Sequence, residues 1–261
     1  MSHLLSKSKY IRGLQCDRAL WLDVFNPRLA KYTREQMQRF DRGREFEYAF
    51  KDTFPNGIDI SAELKRNVDA YPELTAQYLD GVHTPSPLRG TPPNLGGEQD
   101  STCISNSPSK LEGVPEGRGR VSVEEITLFE AGFLYDDVLV LADVVHRNED
   151  GTLDIYEVKS GTALSDTYRR DAALQHYVIS HCRPINRFCI VYNGENRFDT
   201  IDLTEELEEQ HDEIARNIAT MKEILRRGEP DTPTGTHCLE PYACPYQHYC
   251  AQGVRQMSLF G

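Results

Sequence analysis

Apolar residues recur with helical spacing at the start of the chain. From Ser6 to Leu22 they predict a helix that is broken at Gly13. The sequence Thr33-Arg-Glu-Gln36 has the form of a capping box, in which the two outer residues bind each other's backbone N–H groups. We expect a second helix to begin there and to end at about Lys51.

After residue 125 the spacing of apolar residues changes to two, as in β-strands. Three antiparallel strands are predicted, at Ile126 to Tyr135, Val138 to His146 and Leu153 to Ser160. The first two are joined at Asp136-Asp137, and the last two are joined by the turn Asn148-Glu-Asp-Gly151.

The rest of the chain alternates again between the two spacings. A helix is predicted from about Asp166 to His181, followed by a hairpin of Ile185 to Tyr192 and Arg197 to Leu203. Thr204 should then cap a long helix that ends near Arg227-Gly228. The predicted order is therefore helices, three strands, helix, two strands and helix.

One segment lacks the composition of a folded element. Between Gly81 and Arg120, 18 of 40 residues are Gly, Pro or Ser, and no aromatic residue occurs from Leu79 to Leu128. Such a segment cannot bury enough apolar surface to offset the entropy lost on ordering. We therefore predict a single domain over residues 1–255, interrupted by a disordered insertion at about residues 81–122.

Charged residues interrupt two of the apolar strands. Asp143 shares a face with apolar residues of its strand, and a buried carboxylate is costly unless a cation or a metal accompanies it. On the next strand Glu157 and Lys159 point the same way, because they are two residues apart. Pairing of the strands can bring the three charges into one patch. Such a patch is either a site for a divalent metal with oxygen ligands or a structural salt bridge.

Two further polar residues lie on apolar helical stripes. Glu47 is seven residues after Phe40 and three before Phe50, so it should turn inward with them. Gln175 follows Ala172 on the stripe of the next helix. Either side chain can simply satisfy a backbone group in the core, but four such residues in one chain favour a functional site.

Composition limits the class of protein. The formal net charge of −12 argues against a protein that coats nucleic acid by charge alone. The charge is uneven, however, since residues 1–45 carry +5 and the remainder carries −17. No apolar stretch is long enough to cross a bilayer or to form a signal peptide. We expect a cytoplasmic protein whose seven cysteines are ligands or free thiols.

The polar residues together resemble the motifs of a known nuclease group. They are Gly43-Arg-Glu-Phe-Glu47, Asp143, Glu157-Val-Lys159, and Gln175 with Tyr177. This series is similar to that of the RecB-type branch of the PD-(D/E)XK nuclease superfamily. The resemblance implies an α/β, restriction-endonuclease-like core with a central mixed sheet flanked by helices, and cleavage of DNA with Mg²⁺ or Mn²⁺.

The resemblance also implies a role for each residue. The metal ligands would be Glu47, Asp143, Glu157 and the main-chain carbonyl of Val158. Lys159 would act on the attacking water or the transition state, and Gln175 would position DNA or the lysine. Tyr177 belongs to the same motif as Gln175 and is included among the predicted catalytic residues.

The cysteines show a second pattern. Three of them, Cys238, Cys244 and Cys250, have the spacing C-x5-C-x5-C, and Cys16 is the candidate for the fourth position of a four-coordinate centre. One early and three late cysteines resemble the iron–sulfur centre of AddB-like and CRISPR-associated RecB-type nucleases. The phrase Ser6-Lys-Ser-Lys-Tyr-Ile-Arg-Gly-Leu-Gln-Cys16 and the ending Cys-x5-Cys-Pro-Tyr-x-x-Tyr-Cys250 resemble more closely those of an uncharacterised bacterial family of RecB-like proteins. A 4Fe-4S cluster would tie the ends of the chain together.

Structural zinc is the alternative for this centre. His237 or His248 would then replace Cys16 as a ligand. Cys182 and Cys189 are expected to be ordinary core thiols.

The chain ends in a short apolar peptide. Its residues are Gln256, Met257, Ser258, Leu259 and Phe260. The peptide can pack on the domain, but it also resembles the Gln-Leu-Ser/Asp-Leu-Phe motif by which bacterial DNA enzymes bind the polymerase sliding clamp. Leu259 and Phe260 would enter an apolar pocket of the clamp, and Gln256 would make polar contacts.

These expectations lead to one main function and two alternatives. The main function is a metal-dependent DNA nuclease that acts in repair, recombination or defence. The first alternative is a catalytically silent DNA-binding or scaffolding module in which the metal centre is structural. The second is an enzyme that processes tRNA or other RNA, which cleavage of RNA but not of DNA would favour.

Overall fold

The computed structural model of the chain describes residues 3–64, 67–82 and 124–257. In this part of the chain the α-helices are α1 (Lys7–Gln15), α2 (Asp17–Phe25), α3 (Arg34–Lys51), α4 (Ile60–Leu64), α5 (Tyr71–Leu79), α6 (Asp166–Cys182), α7 (Thr204–Glu208), α8 (His211–Arg226) and α9 (Gln247–Met257). The strands are β1 (Leu5–Ser6), β2 (Ile58–Asp59), β3 (Ile126–Tyr135), β4 (Val138–Arg147), β5 (Leu153–Lys159), β6 (Ile185–Tyr192) and β7 (Asp199–Asp202). None of these helices is long and apolar enough to cross a bilayer.

The strands form one mixed sheet. Its order is β2-β3-β4-β5-β6-β7, and β1 pairs with β4 beside this path. Strands β3, β4 and β5 are antiparallel neighbours, as the sequence predicts. Strands β5 and β6 are parallel, because α6 crosses over the sheet between them.

Helices cover both faces of the sheet. On β4, Val145 packs in the main apolar cluster with α6, whereas the adjacent Val144 packs with Phe50 of α3. Neighbouring residues of a strand point to opposite faces, so α6 and α3 lie on opposite sides. The fold is therefore α/β, with a central mixed sheet flanked by helices, as expected.

Local sequence signals account for several element boundaries. The capping box is present, because Gln36 N–H donates to the Thr33 hydroxyl and Thr33 N–H donates to the Gln36 side chain. Asp136 and Asp137 both have positive φ, 49° and 56°. A two-residue turn with this backbone matches the twist of a hairpin, so β3 and β4 meet where the sequence predicts.

The first helix breaks at Cys16 and not at Gly13, contrary to the prediction. Cys16 has an extended backbone between α1 and α2. Gly13 lies within α1, where a Cβ atom would stand only 2.7 Å from the Met221 side chain. The glycine therefore allows α1 to approach α8 closely instead of ending the helix.

The prediction for Thr204 is also wrong. The long helix is divided into α7 and α8, and Thr204 is the first residue of α7. Its hydroxyl accepts a hydrogen bond from Phe188 N–H at 2.7 Å and donates to Asp202 at 2.6 Å. The threonine thus joins α7 to the sheet rather than capping a helix. Strand β7 begins at Asp199, two residues later than predicted.

The predicted insertion falls largely on residues 83–123, which lie outside the described residues. The segments on the two sides of this gap both contact the buried Arg147. Its guanidinium donates to the carbonyl of Leu79 and, at 2.5 Å, to that of Glu124. The chain therefore leaves the described structure and returns to it at neighbouring points.

His176 of α6 is a buried titratable group in the core. Its Nδ1 lies 2.8 Å from Nε2 of His211, and its ring packs against Phe188. Burial, together with the nearby His211 and His181, lowers the pKa of His176 to about 4. The imidazole is therefore neutral in the folded protein at neutral pH.

This burial predicts a pH-dependent stability. The His176 pKa lies near 6.5 when the chain is unfolded, so its stabilising contribution is complete above pH 6.5 and is lost as pH falls towards 4. We expect His176 to account for a loss of about 2 kcal/mol in unfolding free energy between about pH 7.5 and pH 5. Urea denaturation of the parent and of His176→Leu at both pH values measures this. An equal pH-dependent loss in both proteins would contradict the prediction.

Candidate functional site

The candidate site lies where β4 and β5 separate. The two strands pair only from Val144 to Arg147 on β4, opposite Leu153 to Tyr156 on β5. One residue further, the side chain of Asp143 takes the place of the backbone ladder, since Val158 N–H donates to its Oδ2 at 2.7 Å. The carboxylate thus satisfies a buried backbone donor at the point where the sheet opens.

Three carboxylates converge at this opening. Oxygen atoms of Glu47 on α3, Glu130 on β3 and Asp143 on β4 all lie within 4.8 Å of one another. We call these residues the acidic triad. Glu130 has a φ of 54°, in the left-handed region, which costs a residue with a side chain roughly 1 kcal/mol or more. The ammonium of Lys51 lies between two members of the triad, 2.5 Å from Glu47 and 2.6 Å from Glu130.

The environment of the acidic triad opposes ionisation. Burial raises the pKa of Asp143 well above its usual value, and the negative charges of Glu157 and Glu47 raise it further. Burial also raises the pKa of Glu130, although Lys51 acts in the opposite direction. Additional positive charge would therefore stabilise the ionised triad.

A second group of charges adjoins the triad. We call it the charge quartet; its members are Lys7 of α1, Glu157 and Lys159 of β5, and Asp171 of α6. Glu157 Oε1 accepts hydrogen bonds from Lys159 at 2.5 Å and from Lys7 at 2.8 Å. Lys159 also donates to Asp171 Oδ2, and the Lys7 ammonium lies 3.7 Å from this oxygen. The group alternates in charge and its formal charges cancel.

The lysines of the charge quartet keep the Glu157 carboxylate ionised. Burial acts to raise the pKa of Glu157, but Lys159 and Lys7 outweigh this effect and hold the pKa well below its usual value. Burial likewise acts against the charged form of Lys159, yet Asp171 and Glu157 raise its pKa well above the usual value. Burial acts against the charged form of Lys7 as well, but Asp171 and Glu157 raise its pKa. Glu157, Lys159 and Lys7 therefore carry their charges at neutral pH.

Several buried polar atoms of the site retain unused hydrogen-bonding capacity. The side chain of Gln175 is fully buried, and neither atom of its amide has a hydrogen-bond partner within the described residues. The same holds there for Glu157 Oε2 and Asp171 Oδ1. Buried polar groups are nearly always paired, so these atoms favour a site that receives water, an ion or a ligand.

The structure brings together most of the predicted site residues. Asp143 interacts electrostatically with Glu157, Glu47 and Lys159, which shows that the charges lie close together. Val158 contributes its backbone N–H to this group through Asp143. Glu157 is not a member of the acidic triad and is held by the two lysines.

Tyr177 lies apart from these charges. Its ring packs at 5.6 Å from that of Tyr135 and at 5.3 Å from that of His211. Burial and the neighbouring Tyr135 raise the pKa of Tyr177 to about 12. Its contacts are those of a core residue behind the hairpin of β3 and β4.

The expectation that Phe40 turns inward with Glu47 is wrong. Phe40 is 48% exposed, whereas Phe50, further along α3, is buried. Helical spacing places Phe40 and Glu47 on one side of α3, but the sheet covers only the second half of this side. Glu47 therefore lies at the margin of the core, where it can reach the opening in the sheet.

Sequence reasoning missed four charged residues of the site. They are Lys7, Lys51, Glu130 and Asp171. Lys51 had a detectable signal, because it follows Glu47 by one helical turn. Lys7 had none, since it is 150 residues away from Glu157 and only the fold brings them together.

One N-terminal cysteine and three C-terminal cysteines lie near the C-terminal end of α1. They are Cys16, Cys238, Cys244 and Cys250. Cys16, Cys244 and Cys250 pack around one apolar cluster. Burial raises the pKa of Cys16, and the nearby Cys238 also raises it, which shows that these two cysteines lie close together. Cys244 N–H donates to the Cys238 carbonyl at 2.8 Å. All four are free thiols.

The spacing of these sulfurs is wide. Among the described residues no three cysteines bring their sulfurs within 4.8 Å of one another. Sulfurs bound to a single tetrahedral zinc lie about 3.8 Å apart. His237, the proposed alternative zinc ligand, has its Nε2 3.6 Å from the sulfur of Cys238.

The side chain of Gln15 fixes α1 to the cysteine-bearing segment. Its amide nitrogen donates to the carbonyls of His237 at 2.7 Å, Glu240 at 3.1 Å and Tyr242 at 2.7 Å. Helix α1 thus runs from Lys7 in the charge quartet to the cysteines.

The predicted clamp-binding peptide lies at the limit of the described chain. Gln256 and Met257 belong to the last turn of α9. Ser258, Leu259 and Phe260 lie outside the described residues. Clamp binding stays a prediction.

Comparisons with known proteins give no assignment. No protein-family model matches the chain, and no curated protein matches it. The crystal structure of SSO0001 is similar over 48% of this chain and 61% of that one, with 15% sequence identity and a TM-score of 0.32. The chain therefore spans less than two thirds of the length of that protein.

Removal of Lys7 tests the charge quartet. In Lys7→Met one ammonium remains for two buried carboxylates, so we expect the free energy of unfolding to fall by about 1–2 kcal/mol. Urea denaturation at neutral pH gives the change. Lys9→Met is the control, because Lys9 lies on the same helix and its ammonium donates only to the Leu4 carbonyl among the described residues. A loss in Lys9→Met as large as that in Lys7→Met would contradict a special role for Lys7.

Proposed function

We propose that this protein is a metal-dependent DNA nuclease of the RecB-type PD-(D/E)XK kind, which hydrolyses phosphodiester bonds. One observation carries the proposal most directly. Buried carboxylates and a half-buried lysine converge where two strands separate. Gln175 lies one turn after Asp171 on α6, and its amide has no hydrogen-bond partner among the described residues. A core that served stability alone would leave fewer such groups without partners.

The chemistry of the donors fits a hard divalent cation. Oxygen ligands are those that Mg²⁺ and Mn²⁺ prefer, and the acidic triad offers three carboxylates within reach of one ion. Glu47, Glu130 and Asp143 would hold it, and Glu157 and the Val158 carbonyl remain predicted ligands. When bound, the cation supplies an acidic water and offsets the charge of the phosphate.

The remaining groups have roles that follow from their contacts. Lys159 is the ammonium closest to Glu157, at 2.5 Å, and can stabilise negative charge on a phosphate or orient a water molecule. Lys7 neutralises the same carboxylate, so Lys159 need not do so alone. The Gln175 amide has a donor and an acceptor available for a water molecule, a nucleotide or a neighbouring side chain.

A cleavage assay tests the proposal. Labelled single- and double-stranded DNA should be cut in the presence of Mg²⁺ or Mn²⁺ and left intact in chelator. We expect Asp143→Asn, Glu157→Gln and Lys159→Met to lower the rate by about 10²-fold or more, because each removes a charge from the site. Lys222→Met is the control, since Lys222 has similar exposure but binds Asp136 and Asp137 elsewhere.

A catalytically silent DNA-binding module is the alternative. It is favoured by one observation: Lys51, Lys7 and Lys159 already compensate most of the carboxylates without any metal. Metal-independent DNA binding with no cleavage would support this module, and cleavage of RNA alone would support an RNA-processing enzyme. Undiminished cleavage by the three site variants would rule out a nuclease centre at these residues.

For the four cysteines we propose a 4Fe-4S cluster. Support comes from the free thiols of Cys16, Cys244 and Cys250, which pack around one apolar cluster, and from Cys238, which lies close enough to Cys16 to affect its pKa. The proposal implies a reducing compartment such as the cytoplasm.

Anaerobic purification tests the cluster. We expect a brown protein with about four iron and four sulfide per chain. Cys16→Ser and Cys244→Ser should lower the iron content, whereas Cys182→Ser and Cys189→Ser, which change cysteines outside this centre, should leave it unchanged. A colourless protein with one zinc per chain would show that the centre is a zinc site.

A further inference from the structure

Lys51 is the one described lysine whose ammonium lies within the acidic triad. Its Nζ is 2.5 Å from Glu47 Oε1 and 2.6 Å from Glu130 Oε1, and only 7% of the side chain is exposed. Both glutamates belong to the set of three carboxylates that is compact enough for one ion. A positive charge of the chain itself therefore occupies part of the position that a bound cation would take.

The fold holds Lys51 in this position from several sides. It lies one turn after Glu47 on α3, near the end of the helix, and its ammonium lies 5.7 Å from the centre of the Phe129 ring. Phe50, the preceding residue, is buried against Phe54 and Tyr156. Because α3 is fixed by this packing, the ammonium cannot leave the carboxylates without a change of the Lys51 rotamer.

We propose that Lys51 is an internal cation that competes with the divalent metal for Glu47 and Glu130 and so sets the metal concentration at which the site fills. The inference rests on the proposed metal site and adds its regulation. The metal needs carboxylate oxygens that now accept hydrogen bonds from Lys51, and the two cations repel each other at short range. Each must therefore weaken the binding of the other by the same factor.

The competition has a structural purpose. Without metal, three carboxylates in a partly buried opening repel one another, and Lys51 offsets this repulsion. When metal enters, Lys51 must release at least one glutamate. Lys51 thus stabilises the metal-free protein and lowers its affinity for the metal.

Direct binding of Mn²⁺ to the full-length protein tests the inference. Isothermal titration calorimetry and the electron paramagnetic resonance signal of free Mn²⁺ both report affinity without any need for cleavage. We expect Lys51→Met to bind Mn²⁺ at least about fivefold more tightly than the parent. Lys222→Met is the matched control, because Lys222 also bridges two carboxylates, at 2.5 Å from Asp136 and 3.2 Å from Asp137, but outside the site. Its affinity should equal that of the parent.

The outcomes separate this inference from the proposed function. Equal or weaker Mn²⁺ binding by Lys51→Met, with normal binding by the parent, overturns the role of Lys51 alone. Absence of Mn²⁺ binding by both the parent and Lys51→Met overturns the metal site and this inference together. Asp143→Asn should abolish binding in either background, which assigns the measured ion to the acidic triad.

A second pair of variants tests the inference even if Lys51→Met does not fold. Lys51→Gln keeps a hydrogen-bond donor near Glu47 without the charge, so it should also bind Mn²⁺ more tightly. Lys51→Arg keeps the charge and should bind it like the parent. The same affinity for both variants would contradict competition by charge.

Discussion

Charge compensation at the opening between β4 and β5 is the constraint on which this structure depends. The sheet interior is apolar, so Asp143 and Glu157 can be buried there only beside cations or hydrogen-bond donors. Glu157 accepts hydrogen bonds from Lys159 and from the distant Lys7 of α1, and Asp143 accepts one from the Val158 N–H. Beside them, Lys51 of α3 pairs with Glu130 of β3. Placement of the first and third helices is thereby linked to the carboxylates of the sheet.

Helix α1 links this site to the cysteine centre. Its first residue, Lys7, contacts Glu157, and its last residue, Gln15, holds three carbonyls of the C-terminal segment. Cys16 follows directly and lies near the cysteines of that segment. Disturbance of the cysteine centre would therefore move the helix that carries Lys7, so a structural metal there can support the carboxylate site without touching it.

The site combines an acidic and a neutral half. In the charge quartet two lysines balance two carboxylates, whereas in the acidic triad one lysine faces three. Negative charge left in the triad would attract a divalent cation under the proposed function and would repel a phosphate in its absence. A chain with an overall charge of −12 can thus bind DNA at this position only if cations change the local sign.

Signals within short stretches of the sequence are enough to predict the local features. The two-residue spacing of apolar side chains and the two-aspartate turn predict the three antiparallel strands, and the capping box at Thr33 predicts the start of α3. Each of these signals lies within a few residues of the element that it predicts. The sequence also marked Asp143, Glu157 and Gln175 as polar residues in apolar surroundings. Which charged side chains lie beside these residues depends on the tertiary structure. Lys7 and Glu130 carry no local signal, since 150 residues separate Lys7 from Glu157, and a contact over that distance is set by the packing of the whole domain.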